Sequence, residues 1–328
     1  MGTPSPQERP AGQRAPARYG IVVGIDGSQD ALGALRVAAA EAQRRDAPLT
    51  LVTAYTITPY AANVAAYTHL VDDRRLLEEQ HERILTEAEA EVGDMVNVSG
   101  VVKYGDAAKV LLECSEDADL VVVGSRGRGG FTGRLLGSTS SGLPSHSKAP
   151  VLIVPRKYTR ALAEGERQDD TAPVVVGADG SRHSLSAALE AASHAMRRGV
   201  GLRLVGAVPP LTVYEVGWTP PTEVLTGLAD GLRDTVNEDA EWLQGLFPEL
   251  SVETDVVLSS PVQVLIAETA TAPLTVLGTR GLGGFKGLLL GSTTNGVLHH
   301  AEGPVLTVSG EEDPRVADHP RIRRESES

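Results

Sequence analysis

Two segments of the chain set glycines, an arginine and a hydroxyl pair at one fixed spacing. Val122–Thr139 reads VVGSRGRGGFTGRLLGST and Val276–Thr293 reads VLGTRGLGGFKGLLLGST. Both fit G-x2-G-x9-G-[S/T], through Gly124, Gly127, Gly137 and Ser138 in the first copy and Gly278, Gly281, Gly291 and Ser292 in the second. Each segment follows an apolar, β-like run and leads into a short helical stretch opened by Ser-Thr. A strand end, a glycine turn and a helix N-terminus together offer backbone N–H groups and a positive dipole end to an anion. The chemistry predicted is phosphate binding, built twice.

Individual residues sharpen that reading. Without a Cβ, Gly124 and Gly278 let a ribose or phosphate approach the strand end. Gly127, Gly129 and Gly130, with Gly281, Gly283 and Gly284, are expected to take φ > 0 and turn N–H groups inward. Ser138, Thr139 and Ser140, like Ser292, Thr293 and Thr294, open a helix whose first donors lack intrahelical partners. Ser138 and Ser292 also read as plain N-caps, but capping does not require glycine before the cap and two more upstream. Arg126 and Arg280 stand inside the loop, where a guanidinium either pairs with phosphate or faces solvent. Arg128 has no counterpart, position 282 being leucine.

These residues need a framework, and the chain supplies it by repetition. Between Arg126–Pro155 and Arg280–Ser309, 17 of 30 positions are identical at an offset of 154. The unit starts repeat too: YGIVVGIDGS ends at Ser28 and APVVVGADGS at Ser181. Strands are predicted at Gly20–Ile25, Leu49–Tyr55, Val96–Val102, Leu120–Val123 and Val151–Val154, then at Val174–Ala178, Leu202–Val208, Val252–Val257, Leu274–Leu277 and Val305–Val308. Amphipathic stretches lie between them, among them Gln29–Arg45, Arg74–Val92, Ser184–Arg198 and Glu223–Leu246. Short, continuously apolar strands alternating with helices specify an α/β fold of two tandem, doubly wound, five-stranded parallel sheets. The expected organisation is a disordered tail over 1–18, domains over 19–156 and 173–309, a linker over 157–172 and a flexible tail over 310–328. The closing strands are expected to pair with each other or with another chain, since a bare apolar edge invites aggregation.

Bulk properties narrow the function. A formal net charge of −13 over 328 residues disfavours nucleic acid or an anionic membrane as partner. No apolar run approaches a membrane span, and the first 18 residues lack a signal-peptide core. The single cysteine, Cys114, falls in a predicted helix Ala107–Glu116 as a core residue, and the cytoplasm is the expected compartment. No histidine or cysteine set has metal spacing, so no metal site is expected. His69, His81, His183 and His194 are expected on the surface. Neither G-x4-G-K-[S/T] nor kinase loops occur, which predicts tight binding with slow or no turnover. Pro144, inside the first-domain helix after Ser138, is expected to kink or shorten it. That would leave the second domain with the better phosphate site.

The V-G-x-D-G-S strand ends, the G-S-R-G-x-G-G-F…L-L-G-S-T loop and the closing P-V-L-x-V strand resemble the universal stress protein family in its tandem form. The resemblance implies strand order 3-2-1-4-5 in each domain, an adenine nucleotide alpha hydrolase-like fold. It also implies the ATP-binding branch, acting as a stress-response sensor or regulator, intrachain pseudo-dimeric and further homodimeric. ATP, with or without Mg²⁺, is the expected ligand, and cyclic AMP is not distinguished from it. Ala54 and Ala207 match family positions that line the adenine pocket. Asp26 and Asp179 read either as turn formers or as contacts to the adenosine part or to Mg²⁺. Their neighbours Gly24, Ile25, Gly177 and Ala178, with Val123 and Leu277 at the end of strand 4, complete the candidate set. In open parallel sheets ligands sit beyond strand C-termini where the order reverses, between strands 1 and 4 here. Rival readings are a slow ATPase or nucleotide-transfer enzyme on the same fold, though the wider S-G-G-x-D-S pattern is missing, and a scaffold that needs no nucleotide.

Overall fold

The computed structural model describes residues 18–57, 70–128, 136–165, 169–210, 221–282, 290–309 and 313–327. The strands are β1 (Ile21–Gly24), β2 (Leu49–Tyr55), β3 (Val98–Tyr104), β4 (Leu120–Gly124) and β5 (Val151–Val154), then β6 (Val174–Gly177), β7 (Leu202–Val208), β8 (Val252–Leu258), β9 (Thr275–Gly278) and β10 (Val305–Val308). The helices of the first half are α1 (Gln29–Arg45), α2 (Leu70–Val92), α3 (Ala107–Ser115), α4 (Ser138–His146) and α5 (Arg156–Ala163). Those of the second are α6 (Arg182–Arg198), α7 (Thr222–Leu246), α8 (Pro261–Thr269), α9 (Ser292–His300) and α10 (Pro320–Glu327).

The inner strands β1, β4, β5 and β6 read as unbroken apolar runs because both faces are covered, whereas β3 and β8 at the ends of the sheet carry polar residues. Ile21 and Val23 point into a core with Leu35 of α1 and Leu85 of α2. Val22, between them, points into the opposite core with Leu111 of α3 and Leu143 of α4. Helix α1 starts where the Ser28 hydroxyl accepts the Ala31 N–H, and α6 starts the same way at Ser181 and Ser184. Glycine at φ 68 ends α6 in the left-handed conformation that only glycine adopts without strain.

Each half has order 3-2-1-4-5, and the two halves join into one ten-stranded sheet, β3-β2-β1-β4-β5-β10-β9-β6-β7-β8. The joint is the antiparallel pair β5–β10, with Leu152 opposite Leu306. The closing strands thus pair with each other, as an apolar edge requires. Behind the joint α1 meets α6. The buried Glu41 carboxylate receives Arg198 across the interface and Arg44 at 2.9 Å from its own helix, with His194 Nδ1 at 3.3 Å. Arg45 reaches Glu190 at 3.3 Å. His194 is therefore a buried joint residue and not a surface one: it stands on the face of α6 that meets α1, where charged partners replace water.

Two segments expected to be loose carry structure. The linker contains α5, whose Thr159 is buried against Gly33 of α1, at a point where α1 has no room for a Cβ. The C-terminal stretch forms a 3-10 turn, Pro314–Asp318, and then α10. Val316 and His319 are fully buried, and the His319 ring stands edge-on to Trp242 of α7 at 4.9 Å. Arg321 bonds Asp239 at 2.7 Å and also the Gly180 carbonyl. Only Val316 and Ile322 are buried apolar residues there, too few for a periodic signal, and ion pairs do the rest of the docking. The expected N-terminal tail lies outside the described residues up to position 17.

Candidate functional site

A cavity of about 410 Å³ opens at the C-terminal ends of β1 and β4, where the strand order reverses. It gathers every first-domain candidate: Gly24, Ile25, Asp26, Ala54, Val123, Gly124, Arg126, Gly127, Gly137, Ser138, Thr139 and Ser140. Ala31, Val52, Ala107, Leu111, Arg128 and Leu136 complete the wall. Those apolar residues were missed because core and cavity floor have the same composition, and only the fold separates them. The cavity has two characters. Val52, Ala54, Ala107 and Leu111 make one end apolar, while the start of α4, Arg126 and Arg128 make the other polar and cationic.

The polar end is organised by Asp26. One carboxylate oxygen accepts the Ser28 N–H at 2.9 Å and the other the Arg128 N–H at 2.8 Å. Asp179 does the same with Ser181 at 3.0 Å and Leu282 at 3.1 Å. Each aspartate closes the turn after its strand and clasps the glycine loop to it, which favours the turn-former reading. A side chain on Gly127 or Gly281 would collide with this carboxylate. That collision, and not a positive φ, explains both glycines. The left-handed positions are Gly27 at φ 76 and Gly180 at φ 80. Gly129, Gly130, Gly283 and Gly284 lie outside the described residues.

Gly124 and Gly278 also differ from expectation. A Cβ on Gly124 would lie 2.8 Å from the Asp30 carbonyl oxygen, and one on Gly278 2.9 Å from that of His183. Both are small so that the first turn of α1 or α6 can pack on the end of the neighbouring strand β4 or β9. Gly137 is different: its nearest neighbour in that direction is Ser140 Oγ at 3.5 Å, so a side chain there would be tolerated by the fold.

Helix α4 has Gly137 as N-cap at φ −74, ψ 164, and α9 has Gly291 at φ −64, ψ 148, with no side-chain cap on either. Ser138 and Ser292 are thus the first helical residues and not caps. The Ser140 hydroxyl donates to the Ser125 carbonyl at 2.9 Å and Thr294 to that of Gly278 at 2.7 Å. These two fix the helix to the strand end, and the uncapped N–H groups with Ser138 and Thr139 remain for a ligand. Pro144 does not shorten α4, since α4 and α9 both run nine residues. It sits in the last turn, where it removes one N–H far from the cavity.

Second-domain candidates take the same positions: Gly177, Ala178 and Asp179 end β6, Ala207 lies on β7, and Leu277 and Gly278 end β9. Thr293 follows Ser292 at the start of α9. Arg280 departs from the pattern. Arg126 is half-buried and lines both the cavity and a cleft beside the joint between domains, whereas Arg280 is exposed on the equivalent cleft. Arg128 lies against Gly27; in the second domain Arg321 of α10 lies against Gly180 instead.

Beneath the loop, burial pushes the Asp30 carboxyl above its usual range against the pull of Arg156 and Arg126. Cys114 is fully buried, and burial pushes its thiol up.

The sequence profile of the Universal stress protein family matches residues 20–155 and 171–309. A universal stress protein of Mycolicibacterium smegmatis is 33% identical over 305 residues, covering 88% of this chain and 97% of its own. One from Mycobacterium tuberculosis is 35% identical over 304 residues, covering 88% and 95%. Among solved structures, a universal stress protein from Archaeoglobus fulgidus superposes with TM-score 0.61 at 18% identity, over 90% of this chain and 97% of its own. The chain belongs to the universal stress protein family, as two tandem domains.

Proposed function

We propose that this universal stress protein binds an adenine nucleotide, ATP foremost, in the first-domain cavity and acts as a stress-response sensor or regulator through that occupancy. One observation carries the reading: a single cavity of about 410 Å³ is lined both by apolar side chains of β2 and α3 and by an uncapped helix N-terminus with two arginines. Its volume falls in the range of small-molecule pockets. The base would lie on Val52, Ala54 and Leu111, and the phosphates at Gly137, Ser138 and Thr139. Mg²⁺, where present, would enter on the phosphates, and Asp26, whose two oxygens each accept one backbone donor, would hold the loop beside it. The equivalent second-domain residues would form a second site, from which Leu282 removes one cation.

The cavity wall favours binding over turnover. Among the described residues of the wall, Asp26 is the one acid and no histidine occurs, so none of them offers a free general base to a terminal phosphate. The loop residues 129–135, G-G-F-T-G-R-L, bring neither. One cysteine in the whole chain suits a reducing cytoplasm, and the outer strands β3 and β8 end the sheet where a second copy could pair.

The test is to denature the purified protein and identify the released nucleotide by mass, for the native chain and for Gly137→Val. The native chain should release ATP in stoichiometric amount, and the variant should keep its circular dichroism and release little. Equal release from both, or none from native protein that also binds no added ATP or cyclic AMP by calorimetry, would overturn the reading.

A further inference from the structure

The repeat places two related clefts beside the β5–β10 joint. In each, the C-terminal turn of α4 or α9 faces the strand-end segment of the other domain. The cleft against the first domain, about 720 Å³, is walled by Arg126, Arg156, Lys157 and Arg160. Its cations are answered within the chain: Lys157 pairs with Glu302 at 2.5 Å, and Arg156 lies 3.6 Å from Asp30. Glu164 also stands on its wall.

The cleft against the second domain is smaller, about 200 Å³, and its wall holds Lys148, Arg280, His146 and His183 with the hydroxyl-bearing Thr279 and Ser309. Among the described residues, no carboxylate lines it. The internal repeat shows why. Aligning the D-G-S turns sets His183 where the first domain has Asp30, and aligning the closing strands sets Lys148 where the second has Glu302. Two acids have become two bases at equivalent places. Among the described residues, neither Lys148 nor Arg280 has an ion-pair partner.

Lys148 and Arg280 both stand on the wall of this small polar recess; like charges sharing a recess repel each other, and an anion between them relieves this. We infer that this recess binds a small phosphate-class oxyanion at the joint between the domains. Lys148 and Arg280 supply the charge, Arg280 offers a planar fork suited to a tetrahedral oxyanion, and Thr279 and Ser309 frame it. Because Lys148 belongs to the first domain and Arg280 to the second, the bound anion would tie the halves together. The inference does not rest on the nucleotide reading.

The test is a titration of the full chain with inorganic phosphate, read by calorimetry and by ³¹P line broadening. The native chain should show saturable binding that weakens with salt. The double variant Lys148→Glu, His183→Asp imports the residues that the fold already carries at Glu302 and Asp30, and should bind at least about tenfold more weakly, since it turns two attractive groups repulsive. Lys148→Gln, at an exposed position, guards against misfolding of the double variant and should weaken binding several-fold. Gly137→Val should keep the component of phosphate binding that the Lys148 variants lose. Absence of saturable binding in the native chain, or an unchanged isotherm in the Lys148 variants, would overturn the proposal. Loss of that same component in Gly137→Val would also do so, by placing the ion in the first-domain cavity and leaving the nucleotide reading intact.

Discussion

At Gly124 the missing side chain would stand 2.8 Å from the Asp30 carbonyl oxygen, and that oxygen belongs to a helix turn that cannot move alone. Gly124→Ala should therefore destabilise the protein by about 1–3 kcal/mol, the usual cost of overpacking, measurable as a lowered urea midpoint. Gly137→Val should not, since its Cβ meets nothing closer than 3.5 Å. The two substitutions separate glycines kept for packing from glycine kept for a ligand, within one motif. Asp26→Ala removes two acceptors from backbone N–H groups, each worth about 1 kcal/mol net, and releases the glycine loop. It should speed hydrogen exchange at Arg128 and weaken nucleotide binding measured by calorimetry.

Elements differ in how plainly they announce themselves. The closing strands and β2 and β7 were legible to the residue because β-branched and aliphatic residues dominate each of them between turn signals. Helix α1 was legible from its cap and period. The Asp26 and Gly137 positions were legible because backbone phosphate sites need particular spacings, whereas Leu111 and Val52 look like any core residue until the fold opens a cavity beside them. Helix α5 and the C-terminal segment were not legible: each docks through one or two buried side chains and several ion pairs, which leave no hydrophobic period. Pro144 was legible as a helix breaker, but its cost depends on its place in the turn. At the seventh of nine positions in α4 it costs one hydrogen bond. Pro144→Leu should raise the melting temperature by a few degrees at most and leave first-domain nucleotide affinity unchanged by calorimetry. An increased affinity would show that the proline loosens the phosphate end.

At the scale of the molecule, the α1–α6 contact should make stability depend on acid. Burial would raise the Glu41 carboxyl, but the His194 hydrogen bond, the His194 charge, Arg198 and Arg44 together hold it far below its ordinary value of 4.5. Glu190, opposed by burial and held by His194 and Arg45, falls to about 2. With folded values depressed, the unfolded chain binds the protons first. The contribution is complete above about pH 4.5 and is lost as pH falls toward the folded values. Glu41→Gln should cost about 3–5 kcal/mol at neutral pH by leaving Arg198 with no buried carboxylate. The gap between variant and native urea midpoints should close below pH 4.5. Removing residues 313–328 should uncover Trp242 and lower second-domain stability, seen as a red shift in its emission. An unshifted spectrum would mean that the C-terminal helix contributes no packing.

The β5–β10 pairing lies within one chain, so dilution cannot separate the two halves as it separates a dimer of identical subunits. The same covalent tie releases them from sameness. In a homodimer any substitution appears twice and must suit both positions at once. Here a change enters one half only, and the pairs Asp30 and His183, Lys148 and Glu302, Arg128 and Leu282 record that freedom. A duplicated scaffold of this kind can keep one half as a receptor and let the other drift toward a new task, with the shared sheet holding their geometry fixed while they diverge.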